Sequence, residues 1–125
     1  MKVALLTSEK SSIDPFPLVE KVLRDNIAGI DVQRIVAPEN LSLIRKTYEA
    51  ENFDLVCVAL YYEKESADIA VLVRKIVDLE LSGRKMLKFI EPGDEFDENE
   101  QAELISDVIM KKLVGKVAPK KEKYF

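Results

Sequence analysis

The chain has 125 residues, a length that suits one domain with a modest core. Hydrophobic residues make up 47% and charged residues 34%, which is normal for a globular protein and excludes an intrinsically disordered one. The formal net charge of −4 argues against nucleic acid as a partner. No apolar run is long enough for a membrane helix, and the N-terminus turns polar too soon for a signal peptide, so we expect a cytoplasmic protein with no membrane partner.

Cysteine and histidine usage limits the available chemistry. Cys57 is the single cysteine, so the chain forms no internal disulfide and no cysteine-rich zinc site. It lies inside an apolar run and the sequence contains no histidine to activate it, which predicts an inert buried thiol. We expect no metal and no cofactor.

The first strand and helix are separated by a polar loop. Residues 2–7 are nearly all apolar and predict the first strand, and residues 8–14 form the loop. Two prolines follow, and proline fits the first turn of a helix, so Asp14 is the expected N-cap of a helix over residues 15–26.

The middle of the chain predicts two more strands with a helix between them. Residues 31–36 alternate in polarity, which indicates a strand at the edge of a sheet. Asn40 follows a proline turn and is placed to cap a second helix over residues 41–51. Residues 53–60, FDLVCVAL, form a short apolar run that is typical of a strand buried on both faces.

The last part of the chain predicts a third helix, a fourth strand and a fourth helix. The third helix covers residues 66–81, and its wide apolar face indicates packing on the sheet and on a neighbour. Residues 85–90 form the fourth strand, and an acidic loop over residues 91–99 leads into a helix over residues 98–114. Residues 116–125 read as a basic, loose tail.

Strand and helix alternate four times, which predicts a parallel sheet with helices on both faces. The expected fold is a single three-layer α/β/α domain over residues 1–115, with a four-stranded sheet in the order 2-1-3-4. The wide apolar faces of the third and fourth helices predict a homo-oligomer.

Two segments at the carboxyl ends of strands are candidate ligand sites, because ligands bind at that edge of an open parallel sheet. Thr7, Ser8, Ser11 and Ser12 precede a helix N-terminus, where hydroxyl and backbone N–H groups suit an anion. The alternative is an ordinary polar loop, since the segment has no glycine and matches no phosphate-binding motif.

Tyr61 and Tyr62 follow the third strand and could stack on a flat heterocycle, with rim packing as the alternative. The acidic loop after the fourth strand matches no calcium-binding spacing, and its alternative is a solvated loop whose Asp97 favours the N-terminus of the last helix. A phosphorylatable receiver domain is disfavoured, because the third strand ends in Leu60 and tyrosine rather than aspartate.

The stretch FDLVCVALYYEKES, a long apolar helix and then SGRKMLKFIEPGDEFDENEQAEL resemble the core of the lumazine synthase and archaeal riboflavin synthase family. The resemblance implies a flavodoxin-like subunit, assembly as a pentamer, and a transferase of riboflavin biosynthesis acting on a ribityl-pyrimidine or a lumazine. It implies Tyr61 and Tyr62 as stacking residues and Glu63 and Lys64 as the acid–base candidates. The hydroxyl residues of the first loop would then bind polar or phosphate groups.

The sequence also departs from that family. It has no histidine near the start of the long helix, no aromatic residue in the loop over residues 8–12, and no glycine in the loop after the third strand. These departures favour a second hypothesis: a non-catalytic member of the same fold that binds a ligand or serves as an oligomeric assembly module.

Overall fold

A computed structural model describes residues 1–114, which form four strands and four helices. In chain order they are β1 (Lys2–Ser8), α1 (Phe16–Asn26), β2 (Asp31–Ala37), α2 (Asn40–Glu49), β3 (Leu55–Tyr62), α3 (Ala67–Leu81), β4 (Met86–Pro92) and α4 (Glu98–Val114). The expected tail over residues 116–125 lies outside the described residues.

All strand pairs of the sheet are parallel, and the order is β2-β1-β3-β4. This confirms the predicted α/β fold, which is consistent with a flavodoxin-like three-layer arrangement. The two central strands, β1 and β3, are almost entirely buried because helices cover both of their faces. The edge strands β2 and β4 have mixed polarity and partial exposure.

Side chains of the central strands alternate between two apolar cores, one on each face of the sheet. Leu5 and Cys57 belong to the core under α1 and α4, whereas Leu6 and Val58 belong to the core under α2 and α3. Strands buried on both faces therefore appear in the sequence as continuous apolar runs rather than as alternating ones.

The third strand lies two residues further along the chain than predicted. Phe53 and Asp54 precede it, and both contact Lys2: the Lys2 Nζ lies 4.8 Å from the Phe53 ring centroid, and the Lys2 N–H donates to Asp54 Oδ2 at 2.7 Å. The strand extends through both tyrosines and pairs with β4 as far as Tyr62 opposite Pro92. Tyr61 is thus a strand residue and not part of the following loop.

Aspartate side chains accept backbone N–H groups at the starts of α1 and α4, but the N-cap of α1 is Pro15 and not the predicted Asp14. The Phe16 N–H donates to Asp14 Oδ1 at 3.1 Å, and the Glu100 N–H donates to Asp97 Oδ2 at 3.0 Å. The second contact confirms the placement of Asp97 at the N-terminus of the last helix. No helix within residues 1–114 is long and apolar enough to cross a membrane.

Candidate functional site

The connections that follow the neighbouring strands β1 and β3 leave the carboxyl edge of the sheet toward opposite faces. The loop after β1 leads to α1 on one face, and the loop after β3 leads to α3 on the other. In open parallel sheets, this divergence leaves a crevice in which ligands bind.

The half of this crevice on the α1 and α4 side is closed by the protein itself. Ser12 donates to the Tyr61 carbonyl twice, from its backbone N–H at 2.7 Å and from its hydroxyl at 2.8 Å. The Tyr61 N–H in turn donates to Ser11 Oγ at 2.9 Å. A Cβ on Gly93, in the loop after β4, would overlap Ser12 Oγ, so the β1–α1 loop lies directly against two other strand ends.

The hydroxyls of Thr7, Ser8 and Ser11, which were also predicted to bind a ligand, have protein partners as well. The buried Thr7 hydroxyl donates to the Ala59 carbonyl at 2.7 Å, and Ser8 Oγ accepts from the Lys10 N–H at 3.0 Å. The Ser11 hydroxyl donates to the Ile13 carbonyl at 2.7 Å. In this conformation, all four predicted ligand-binding hydroxyls have protein partners, and those of Ser11 and Ser12 hold the β1–α1 loop onto the end of β3.

Tyr61 lies in the α1 and α4 core, with no exposed surface. Its hydroxyl donates to Gln101 Oε1 at 2.7 Å, and its ring meets Phe96 edge-on with centroids 5.9 Å apart. Burial raises the pKa of the Tyr61 phenol above its ordinary value, and the negative charge of Glu91 adds to the rise. The prediction that Tyr61 stacks on a ligand is therefore wrong. Successive strand residues point to opposite faces of the sheet, and the Tyr61 side chain points into the core.

Tyr62 points to the opposite face and lines a groove on the α2 and α3 side of the same edge. This carboxyl-edge groove has a volume of about 510 Å³. It is formed by the β1–α1 loop, the start of α2, the end of β3 and the start of α3. Its lining residues are Lys10, Glu39, Asn40, Leu41, Ser42, Tyr62, Glu63, Lys64, Asp68 and Ile69.

The groove combines an aromatic wall with charges of both signs and two helix N-termini. Tyr62 is half-buried, while Lys10 and Lys64 are exposed at the rim. The first turns of α2 and α3 have backbone N–H groups without intrahelical partners, and these suit acceptor atoms of a ligand. The structure therefore brings together Tyr62, Glu63 and Lys64 from the predicted site, while Tyr61 and the loop hydroxyls lie elsewhere.

The contribution of α2 to the groove is missing from the sequence-based site. Asn40 was expected only as a helix cap, but its Oδ1 is buried without a hydrogen-bond partner among the described residues. The start of α2 is held instead by Ser42, whose Oγ accepts from the Glu39 N–H at 3.0 Å. The predicted strand and helix order could have placed the start of α2 at this site, because every helix that follows a strand of a parallel sheet begins at the carboxyl edge of that sheet.

A second cavity, of about 440 Å³, lies at the amino edge of the sheet. Arg84 lines this cavity, and its guanidinium donates to the carbonyls of Thr47 at 2.8 Å and Tyr48 at 2.7 Å. This arginine therefore holds the end of α2 in place. Within residues 1–114, no group of three or more acidic, cysteine or histidine side chains is arranged to hold a metal ion.

A scan against protein-family models found no match to this sequence, and a search of curated proteins found none either. A proposal about function therefore rests on the carboxyl-edge groove and on the resemblance described above.

Proposed function

We propose that the chain binds a small molecule with a flat ring and polar substituents in the carboxyl-edge groove. The observation that supports this most directly is the position of Tyr62, whose half-buried ring lines a groove between two helix N-termini at the ligand-binding edge of the sheet. The volume of about 510 Å³ is within the range of small-molecule sites.

A ribityl-pyrimidine or a lumazine is the ligand class that we propose to test first. The sequence resemblance implies this class, and the groove suits its two parts. The heterocycle would stack on Tyr62, and the hydroxylated chain would contact Asn40 and the free N–H groups of the helix starts. Lys10 and Lys64 would attract an anionic substituent at the rim.

The groove supports ligand binding without catalysis better than it supports an enzyme. General acid–base catalysts act best when the site is closed to water and their environment is tuned to the reaction. Glu63 and Lys64 are both exposed in a short loop, and the chain has no histidine. A transferase of riboflavin biosynthesis is the second candidate, supported by the position of Glu63 and Lys64 beside Tyr62 in the groove.

Titration of the purified protein with a lumazine, followed by absorbance and fluorescence, tests the proposal. We expect a shift in the ligand spectrum without formation of riboflavin. Tyr62→Ala should weaken binding by about 2- to 10-fold, the value of one aromatic contact. Tyr48→Ala is the matched control, because Tyr48 is an exposed tyrosine of α2 outside the groove and its removal should leave binding unchanged.

The two candidates give different products in this experiment. Formation of riboflavin that is lost in Glu63→Gln would favour the transferase. A ligand spectrum that does not change at any protein concentration, with no product, would overturn both candidates for this ligand class.

A further inference from the structure

The β1–α1 loop has an acceptor for every backbone N–H group over residues 9–12. The Glu9 N–H donates to the Ala37 carbonyl, at the end of β2, at 2.8 Å. The next two N–H groups donate to Ser8, one to its hydroxyl oxygen and one to its carbonyl, each at 3.0 Å. The fourth, from Ser12, donates to a carbonyl at the end of β3 at 2.7 Å. A loop whose N–H groups are all bonded to protein is restricted to a narrow range of backbone conformations.

Two serine hydroxyls of this loop bond to the backbone of a single strand residue, Tyr61. Ser11 Oγ accepts the Tyr61 N–H at 2.9 Å and donates to the Ile13 carbonyl at 2.7 Å. Ser12 Oγ donates to the Tyr61 carbonyl at 2.8 Å. These hydroxyls therefore fix the loop to β3 one residue before Tyr62, whose side chain lines the carboxyl-edge groove.

Lys10 lies between these attachments and lines the same groove. On one side of it, Glu9 is bonded to the end of β2, and on the other side Ser11 is bonded to the end of β3. The Lys10 side chain is exposed and forms no ion pair with any residue that the structure describes. The loop that closes one half of the crevice thus places an unpaired positive charge at the rim of the other half.

The groove as a whole does not carry a positive charge. Glu39, Glu63 and Asp68 line it together with Lys10 and Lys64. An anionic group is therefore attracted only where a cation is held close to it, because the Coulomb energy falls with distance and salt screens what remains. The position of the lysine backbone then matters more than the number of charges.

We propose that Ser11 and Ser12 are positioning residues for ligand binding: they fix the β1–α1 loop so that Lys10 pairs with an anionic substituent of the ligand. This inference rests on the proposed function, because Lys10 acts in the same groove as Tyr62. A loop that is held in its bound conformation loses less conformational entropy when the ligand binds. Without the serine bonds, the ligand would have to order the loop before the ion pair could form.

Two probes that differ only in charge test this role: a lumazine carboxylate and the corresponding neutral carboxamide. Fluorescence titration gives the ratio of the two Kd values. We expect the wild type to prefer the carboxylate by about 1.5- to 5-fold, the value of one exposed ion pair. Lys10→Gln and Ser11→Ala should each lower this preference and leave the affinity for the carboxamide nearly unchanged.

The double variant Lys10→Gln/Ser11→Ala shows whether the serine acts through the lysine, and its preference should equal that of Lys10→Gln alone. Ser82→Ala is the matched control and should keep the wild-type preference. It removes a serine hydroxyl that donates to the Leu79 carbonyl at 2.7 Å, at the C-terminal end of α3 and outside the groove. Ser12→Ala keeps the backbone bond of Ser12 and gives a milder test if Ser11→Ala does not fold.

The outcomes separate this inference from the proposed function. A wild type that binds neither probe would overturn both. A wild type that binds the two probes equally, or serine variants that keep the wild-type preference, would overturn the positioning role and leave the groove as a binding site. An equal loss of affinity for both probes in the serine variants would show a structural role alone, and it would overturn the positioning role too.

Discussion

Tyr61 and Tyr62 are adjacent in the sequence and have opposite environments, because successive strand residues point to opposite faces of the sheet. The Tyr61 ring is fully buried, and its hydroxyl reaches Gln101 on α4. The Tyr62 ring lines the carboxyl-edge groove. We therefore assign a stabilising role to the first tyrosine and a ligand-contacting role, as part of the proposal, to the second.

Replacement of Tyr61 by phenylalanine should destabilise the fold near neutral pH. The change keeps the ring and its edge contact with Phe96, but it leaves Gln101 Oε1 without a donor at a side chain that is 6% exposed. An unsatisfied buried acceptor costs about 1–3 kcal/mol, and we expect a loss of that size in the free energy of unfolding measured by urea denaturation. Tyr62→Phe is the control and should change stability by less than about 0.5 kcal/mol. Equal losses in the two variants would contradict the assignment.

The β1–α1 loop follows β1 and also contacts the carboxyl ends of β3 and β4. Its serines bond to the backbone of Tyr61 at the end of β3, and Ser12 also lies against Gly93 after β4. Gly93 is buried, and a side chain there would meet Ser12 Oγ and, at 3.1 Å, Tyr61 Cβ. The absence of a Cβ at this position lets the loop close one half of the crevice.

Gly93→Ala should therefore destabilise the protein by about 1–3 kcal/mol, the usual cost of overpacking a close contact. The same substitution in a Ser12→Ala background should cost less, because the hydroxyl oxygen that it would overlap has been removed. Urea denaturation of the wild type, the two single variants and the double variant gives the coupling free energy. A cost of Gly93→Ala that is independent of Ser12 would show that the loop is not held at this contact.

The sequence predicted the elements of the fold because their signals are local. Continuous apolar runs indicated the central strands, mixed polarity indicated an edge, and the alternation of strand and helix indicated the parallel order. The predicted limits of β3 were wrong by two residues at each end. Phe53 is as apolar as the strand residues that follow it, and the local sequence pattern gives no indication of its contact with Lys2.

The site was harder to predict than the fold because its contacts join distant parts of the chain. Ser12 and Tyr61 are 49 positions apart, and nothing near either residue indicates that the hydroxyl is already bonded. The buried Oδ1 of Asn40 also depends on the packing around the start of α2 rather than on a motif. Side-chain type predicted what the residues could do, and only the packing determined which of them remain available to a ligand.

The two cores differ in their fully buried titratable groups. The core under α1 and α4 contains both Cys57 and Tyr61, whereas the core under α2 and α3 contains neither. Burial raises the pKa of the Cys57 thiol and of the Tyr61 phenol above their ordinary values of 9.0 and 10.0. Both groups therefore stay neutral in the folded protein at a pH where the unfolded chain would ionise them.

This difference predicts that stability falls in alkaline solution and that Tyr61 accounts for part of the loss. Above the ordinary tyrosine pKa, the unfolded chain releases the Tyr61 proton while the folded protein keeps it, so the free energy of unfolding decreases as the pH rises. The decrease from one such group approaches about 1.4 kcal/mol per pH unit. Tyr61→Phe lacks this group, so the gap in stability between wild type and variant should narrow as the pH rises above about 10 in urea denaturation. The gap between wild type and Tyr48→Phe, which alters an exposed tyrosine, serves as the control and should change less over the same range. A wild-type advantage over Tyr61→Phe that stays constant to about pH 11 would contradict the ionisation of this residue on unfolding as the cause.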